Sequence, residues 1–171
     1  MPQLIMAKSD SFFIRASTGY NGIQFEQTSI DLGAYVDALG KSVLRIHNLS
    51  VMWGSSSIDA PSIPLGQIRT GFQLTTQSQT SMVGADNKSL ISAGSLYTSA
   101  DVGAPNQVTI TESLDVAPQH WTNGYLVGVE QIYLGVDQTA DIGLAECQIV
   151  LECTVETLSQ SAAMALALSQ Q

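Results

Sequence analysis

Alternation with a period of two runs through most of this chain and is clearest near its C-terminal end. Cys147, Ile149, Leu151, Cys153 and Val155 fall on one face of an extended segment, and Gln148, Val150, Glu152, Thr154 and Glu156 on the other. That pattern specifies a half-buried strand whose acidic face is solvated or paired with something basic. Residues 123–138, NGYLVGVEQIYLGVDQ, open on a turn dipeptide and are largely apolar on both faces, with Glu130 interrupting the one that Leu126, Ile132, Leu134 and Val136 fill. They predict one central strand covered on two sides. In SVLRIHNLSVMWG (42–54), Val43, Leu49, Val51 and Trp53 share a face with Arg45 and His47, while Leu44, Ile46 and Met52 take the other. GQIRTGFQLTTQ (66–77) sets Ile68, Phe72 and Leu74 inward, and QVTITES (107–113) does so with Val108 and Ile110. SFFIRAS (11–17) and GIQFEQTSI (22–30) predict two strands joined by a hairpin-like connection at Thr18-Gly19-Tyr20-Asn21, with LIMAK (4–8) as an edge strand and SLYTS (95–99) as a further short one.

Polar, Gly- and Pro-containing stretches at 55–64, 77–92 and 100–106 separate these runs and predict loops. DLGAYVDALGK (31–41) reads either as a strand followed by a turn or as a short helical crossover. Beyond residue 157 the alternation stops. Leu158, Ala162, Ala165, Leu166 and Ser169 recur at helical spacing in an Ala-rich, uncharged tail, which predicts a short helix or arm that packs on something. The fold class that follows is all-β: an antiparallel two-sheet jelly-roll sandwich over residues 1–157 with a C-terminal helical arm over 158–171. Its expected core includes Ile46, Phe72, Val127, Val129, Ile149 and Leu151.

Composition sharpens this picture. The 171 residues suit one domain large enough to fold on its own core. Only 12% are charged, about half the usual share, so uncharged Ser, Thr, Gln and Gly must cover most of the surface. The net charge of −9 is uneven: every Lys and Arg lies at or before Lys88, and Asp and Glu alone populate residues 89–171. Such a chain has little with which to neutralise phosphates or an anionic membrane. Cys147 and Cys153 sit six apart in one strand, roughly 20 Å at ~3.3 Å per residue, and cannot bridge each other there. The opening MPQLIMAKSD has no basic n-region or long apolar stretch, and no run approaches a membrane span, so the sequence predicts use without secretion and no transmembrane segment.

Candidate chemistry is sparse. His47 and His120 are the two histidines, with no third ligand at metal spacing near either. No nucleophile elbow, P-loop or dinucleotide fingerprint is present, so no catalytic residue, metal or cofactor is expected. His47 reads as structural. His120, in PQHW, suits a loop that plugs the sandwich end. Asp137 and Asp141 flank a turn and read as Asx-turn residues rather than cation ligands. Asn48-Leu49-Ser50 and Asn87-Lys88-Ser89 match the glycosylation pattern by coincidence in a chain without a secretion signal. What stands out instead is the tail: Met164, Leu166 and Leu168 need cover, which marks them as candidate assembly-interface residues.

With eight or so strands, the segment IDLGAYVDALGKSVLRIHNLSVMW and the late pair QIYLGVDQ and AECQIVLECTVETL, the chain resembles the single jelly-roll capsid proteins of small icosahedral viruses, those of archaea and bacteria being the nearer comparison. The resemblance is one of overall pattern across nearly the whole chain and rests on no single motif. It implies a structural protein without an active site, synthesised in a host cytoplasm and located in the virion. Its partners would be copies of itself in a symmetric shell, with other capsid proteins beside them. In one respect the chain departs from that pattern: genome-binding capsid proteins often carry a basic N-terminal arm, and the first ten residues here hold only Lys8. An internal membrane, another protein or bound cations would then stand between shell and genome. Two other readings compete. One is a β-sandwich module binding carbohydrate or another ligand through loop aromatics such as Trp53, Tyr97, Trp121 and Tyr125; the other is a cupin-type enzyme, which normally needs several metal-binding histidines.

The charge distribution yields a direct expectation. The isolated subunit should show no appreciable binding to DNA or RNA at physiological salt in fluorescence anisotropy. Tight binding that falls steeply with added salt would contradict it and would require Arg15, Arg45 and Arg69 to act together.

Overall fold

The computed structural model describes residues 9–37, 39, 41–54, 63–101 and 104–171, with the backbone alone described at 104–106. The described residues form nine strands: β1 (Phe12–Gly19), β2 (Glu26–Asp31), β3 (Ser42–Trp53), β4 (Gly66–Thr75), β5 (Leu90–Asp101), β6 (Ala104–Val116), β7 (Tyr125–Val127), β8 (Gln131–Gln138) and β9 (Glu146–Thr157), followed by helix α1 (Gln160–Ser169). They build a four-stranded sheet in the order β1-β9-β3-β7 and a five-stranded sheet in the order β2-β8-β4-β5-β6. Every pairing is antiparallel, and β1 with β9, β2 with β8, β3 with β7 and β4 with β5 form nested pairs. A ribbon of paired strands rolled up in this way is a jelly roll, with β6 added at the outer edge of the second sheet.

The two inner faces share one core. Leu44, Ile46, Leu49, Val127, Ile149 and Leu151 of the first sheet meet Phe72, Leu74, Ile132, Leu134 and Val136 of the second, all essentially without solvent contact. Of the expected core residues, Ile46, Phe72, Val127, Ile149 and Leu151 lie in it, and Val129 is only partly buried at its margin. Cys147 and Cys153 are buried, and burial pushes both thiols up to about 12, so they behave as small apolar side chains.

Several sequence expectations are corrected. Residues 123–138 do not form one strand: β7 belongs to the first sheet and β8 to the second, and the chain crosses between them at 128–130. Strands β1 and β2 likewise lie in different sheets, so 20–25 is a crossover and not a hairpin, and the second strand begins only at Glu26. In β3 the register with β9 slips between Ile46 and Asn48, making His47 an extra residue. That bulge shifts the alternation by one, so Leu44 and Ile46 before it and Leu49, Val51 and Trp53 after it all point to the core, whereas Arg45 and Met52 point out. Strand β5 takes in 90–92, expected in a loop, because its Ser, Ala and Gly residues mute the alternation; at Gly94 a Cβ would lie 2.7 Å from the Phe72 ring, so only glycine lets that ring fill the core. Part of the expected 100–106 loop is strand, since β5 ends at Asp101 and β6 begins at Ala104. Of the 31–41 segment, Asp31 ends β2 and 33–35 form a turn flanked by the buried Leu32 and Val36, Val36 N–H donating to the Leu32 carbonyl at 2.9 Å. The segment 4–8 and most of the 55–64 loop lie outside the described residues.

Leu151 stands opposite Ile14 on one side and Leu49 on the other, at the middle of the first sheet. Leu151→Ala should cost about 2–5 kcal/mol in denaturant titration. A loss well under ~1 kcal/mol would contradict the strand's central place.

Candidate assembly surfaces

The tail helix is positioned by one close approach and one side chain. Ser159 caps it by accepting from the Ala162 N–H at 3.2 Å, and Ala163 and Ala167 form its buried side. It lies against the β7–β8 crossover: a Cβ on Gly128 would come within 2.8 Å of Leu166 Cγ and 3.2 Å of the Ala167 nitrogen. Gln170 then completes the contact. Its Oε1 accepts from the Gly128 N–H and its Nε2 donates to the Leu126 carbonyl, both at 2.7 Å. Those backbone groups lie at the end of β7, the edge strand of the first sheet, so the buried Gln170 amide substitutes there for a neighbouring strand. Of the candidate interface residues, Leu166 is therefore largely spent on the chain's own crossover, whereas Met164 and Leu168, one helical turn apart, stay exposed.

The outer face of the first sheet is organised by an ion pair. Arg45 donates from Nε to Glu156 Oε1 at 2.7 Å and from Nη2 to Oε2 at 2.8 Å, and its Nη1 reaches the Asn123 carbonyl at 2.6 Å. This forked contact ties β3, β9 and the turn before β7 together, and supplies the basic partner that the acidic face of β9 needs. His47 Nε2 lies 2.9 Å from Thr154 Oγ1, and Asn48 donates to Glu152 at 2.9 Å. Farther along the same face, Phe13 and Met52 point outward and are more than half exposed.

The remaining candidate chemistry resolves into local structure. His120 Nδ1 accepts from the Ala117 N–H at 3.2 Å within the single 3-10 turn Pro118–His120. Asp141 Oδ1 accepts from the Gly143 N–H at 2.8 Å, an Asx turn, and Asp137 Oδ1 accepts from the Gln138 N–H. Among the described residues no three His, Cys, Asp or Glu side chains gather into a metal-binding group. The four aromatics considered for ligand binding do not converge. Trp53 packs edge-on to Phe72 and donates to Glu112, Tyr125 packs on the core, Tyr97 points out from the second sheet and Trp121 is exposed after the 3-10 turn. The feature that sequence reasoning missed is the loop 76–89, which folds back over the second sheet. Buried Gln73 donates to the Ser81 carbonyl and accepts from the Val83 N–H, while Gln27 accepts from the Gln79 N–H and donates to Ser78. Glutamine-rich loops carry no motif, so only the Gln content of 73–79 hinted at it.

Gln170 gives a test of this arrangement. Gln170→Ala leaves a buried N–H and C=O without partners and should cost about 1–3 kcal/mol in denaturant titration. An unchanged midpoint would mean that the helix does not dock on its own sandwich.

No family model matches this chain, and no curated protein matches it either. A solved structure titled Desmodium yellow mottle tymovirus overlaps 92% of this chain and 93% of its own with 10% sequence identity and a TM-score of 0.35. An overlay that loose carries no argument about what this chain does.

Proposed function

We propose that this chain is a structural subunit that assembles with copies of itself into a closed shell, the coat of a small virus. The observation that carries the reading is the distribution of its exposed apolar side chains. Phe13 and Met52 lie on the outer face of the first sheet, Val108 and Ile110 at the far edge of the second, and Met164 and Leu168 on the tail helix. A module that binds one ligand concentrates such residues in one cleft. A shell subunit must instead contact neighbours in several directions at once, and interfaces repeated by symmetry place apolar patches on several sides. The low charge content fits the same purpose, because charged residues are depleted at interface centres. On this reading the chain acts without catalysis, resides in the virion after synthesis in the host cytoplasm, and is joined by other coat components on faces that copies of itself leave free. Its acidity leaves contact with the genome to something else. The ligand-binding alternative has less support, since its aromatics face different ways.

Met164 and Leu168 are the cleanest handle, because both are exposed while the helix stays anchored through Gln170. Sedimentation velocity over a concentration series should show large species for the full-length protein. A Met164→Lys, Leu168→Lys double variant, with an unchanged unfolding midpoint, should shift to small ones. A full-length protein that stays monomeric at high micromolar concentration, with the variant behaving identically, would sink the shell reading and promote the ligand-binding one.

A further inference from the structure

Among the described residues, three of the four sheet edges carry a protecting feature and the fourth is uncovered. At the edge of the first sheet, β7 is capped by Gln170, and β1 carries the cation Arg15. In the second sheet β2 is six residues long, and the 76–89 loop is fastened to it through Gln27. Strand β6 is different. Among the described residues it is the longest strand, with 13 residues, and pairs only with β5, and residues 107–112 are all exposed. It carries no Lys or Arg, and its stretch 104–111 has no charge at all. Past Pro105, the uncharged edge of residues 106–111 offers a template for another strand, and Glu112 and Asp115 follow it.

Its inner side is also incomplete. Towards its C-terminal end β6 grips the sandwich, with Leu114 packed on the core and Glu112 accepting from Trp53. Towards its N-terminal end it overhangs. Register with β5 places Val108 opposite Ala100 and Ile110 opposite Thr98, on the face where Thr98 and Ala100 are buried, yet Val108 is 44% and Ile110 50% exposed. The opposite sheet ends in the three-residue β7 and does not cover them.

We infer that β6 is the seam along which two copies of this chain join, pairing antiparallel with its own counterpart about a two-fold axis at Thr109. The sequence matches itself about that residue. Val108 of each copy falls opposite Ile110 of the other, Gln107 opposite Thr111, and Thr109 opposite its counterpart. A two-fold axis perpendicular to the sheet keeps inner face on inner face, so the two Val108 and two Ile110 side chains cover one another. Centring the axis on Ile110 instead would set each Glu112 carboxylate against the apolar Val108 of the other copy. The product is a continuous ten-stranded sheet, five strands from each copy. The seam deepens the shell reading by naming one of its contacts, but it needs only a second copy of the chain and stands or falls on its own measurement.

The test is a cysteine at the axis of the full-length protein. Thr109→Cys places the two thiols opposite each other, while native Cys147 and Cys153 are buried and stay silent. Under mild oxidation Thr109→Cys should convert to a reducible covalent dimer at least ten times faster than Ser29→Cys, which is exposed on β2 at the other end of the sheet. Ile110→Lys should weaken the association of the otherwise unmodified protein at least tenfold by sedimentation. A covalent dimer that is also the largest species formed supports the seam and removes the shell. Equal cross-linking rates at Thr109→Cys and Ser29→Cys, or assemblies that persist in Ile110→Lys, overturn the seam and leave the shell standing. A wild-type monomer with no cross-link overturns both. A Thr109→Cys thiol shielded from small thiol reagents within a monomer would mean that another segment of the same chain covers the edge, which also overturns the proposal.

Discussion

At residues 128–130 the backbone leaves one sheet for the other, and both the nested strand order and the docking of the tail depend on that crossing. Strand β7 pairs with β3, and three residues later β8 pairs with β2 and β4. A chain that changes layers this abruptly abandons its hydrogen-bonded ladder, and unpaired buried backbone groups are costly. Gln170 meets that cost by bonding Leu126 and Gly128, and α1 can come close enough only because Gly128 has no side chain. The crossover, the glycine and the tail are thus one device. It closes an edge of the first sheet and holds the helix so that Met164 and Leu168 face outward.

Two kinds of strand are present, and they were not equally legible. Strand β9 lies between β1 and β3 with one face on the core, so its alternation states its environment outright. Strand β3 has the same position but a bulge at His47, and a fixed period of two puts half of its core residues on the wrong face. Strand β5 is packed through Ser, Thr, Ala and Gly, whose small side chains fill the space beside Phe72 without registering as apolar. The run 123–138 is largely apolar on both faces because it serves two sheets in turn, and periodicity cannot distinguish that from one strand buried on both faces. In the tail, Ala-rich spacing announced the helix, but not that Leu166 packs on the chain's own Gly128 while its neighbours Met164 and Leu168 do not.

The candidate surfaces follow the same division. A motif search finds chemistry carried by particular residues at particular spacings, and His47, His120, Asp137 and Asp141 are engaged in local hydrogen bonds instead. Assembly surfaces are made by what the fold leaves uncovered, and that is fixed only when the sheets are laid over each other. The overhang of β6 is an example: Val108 and Ile110 are inward by sequence and exposed in fact, because the opposing sheet is one strand narrower and ends in its shortest strand.

These features make sense together if the sandwich is one tile among many, with apolar contacts on several sides and acidic, lightly charged faces between them. Electron microscopy of the purified full-length protein tests that claim most directly. The account predicts closed particles of uniform diameter built from repeated units. A field of dispersed single sandwiches, unchanged as concentration is raised, would contradict it.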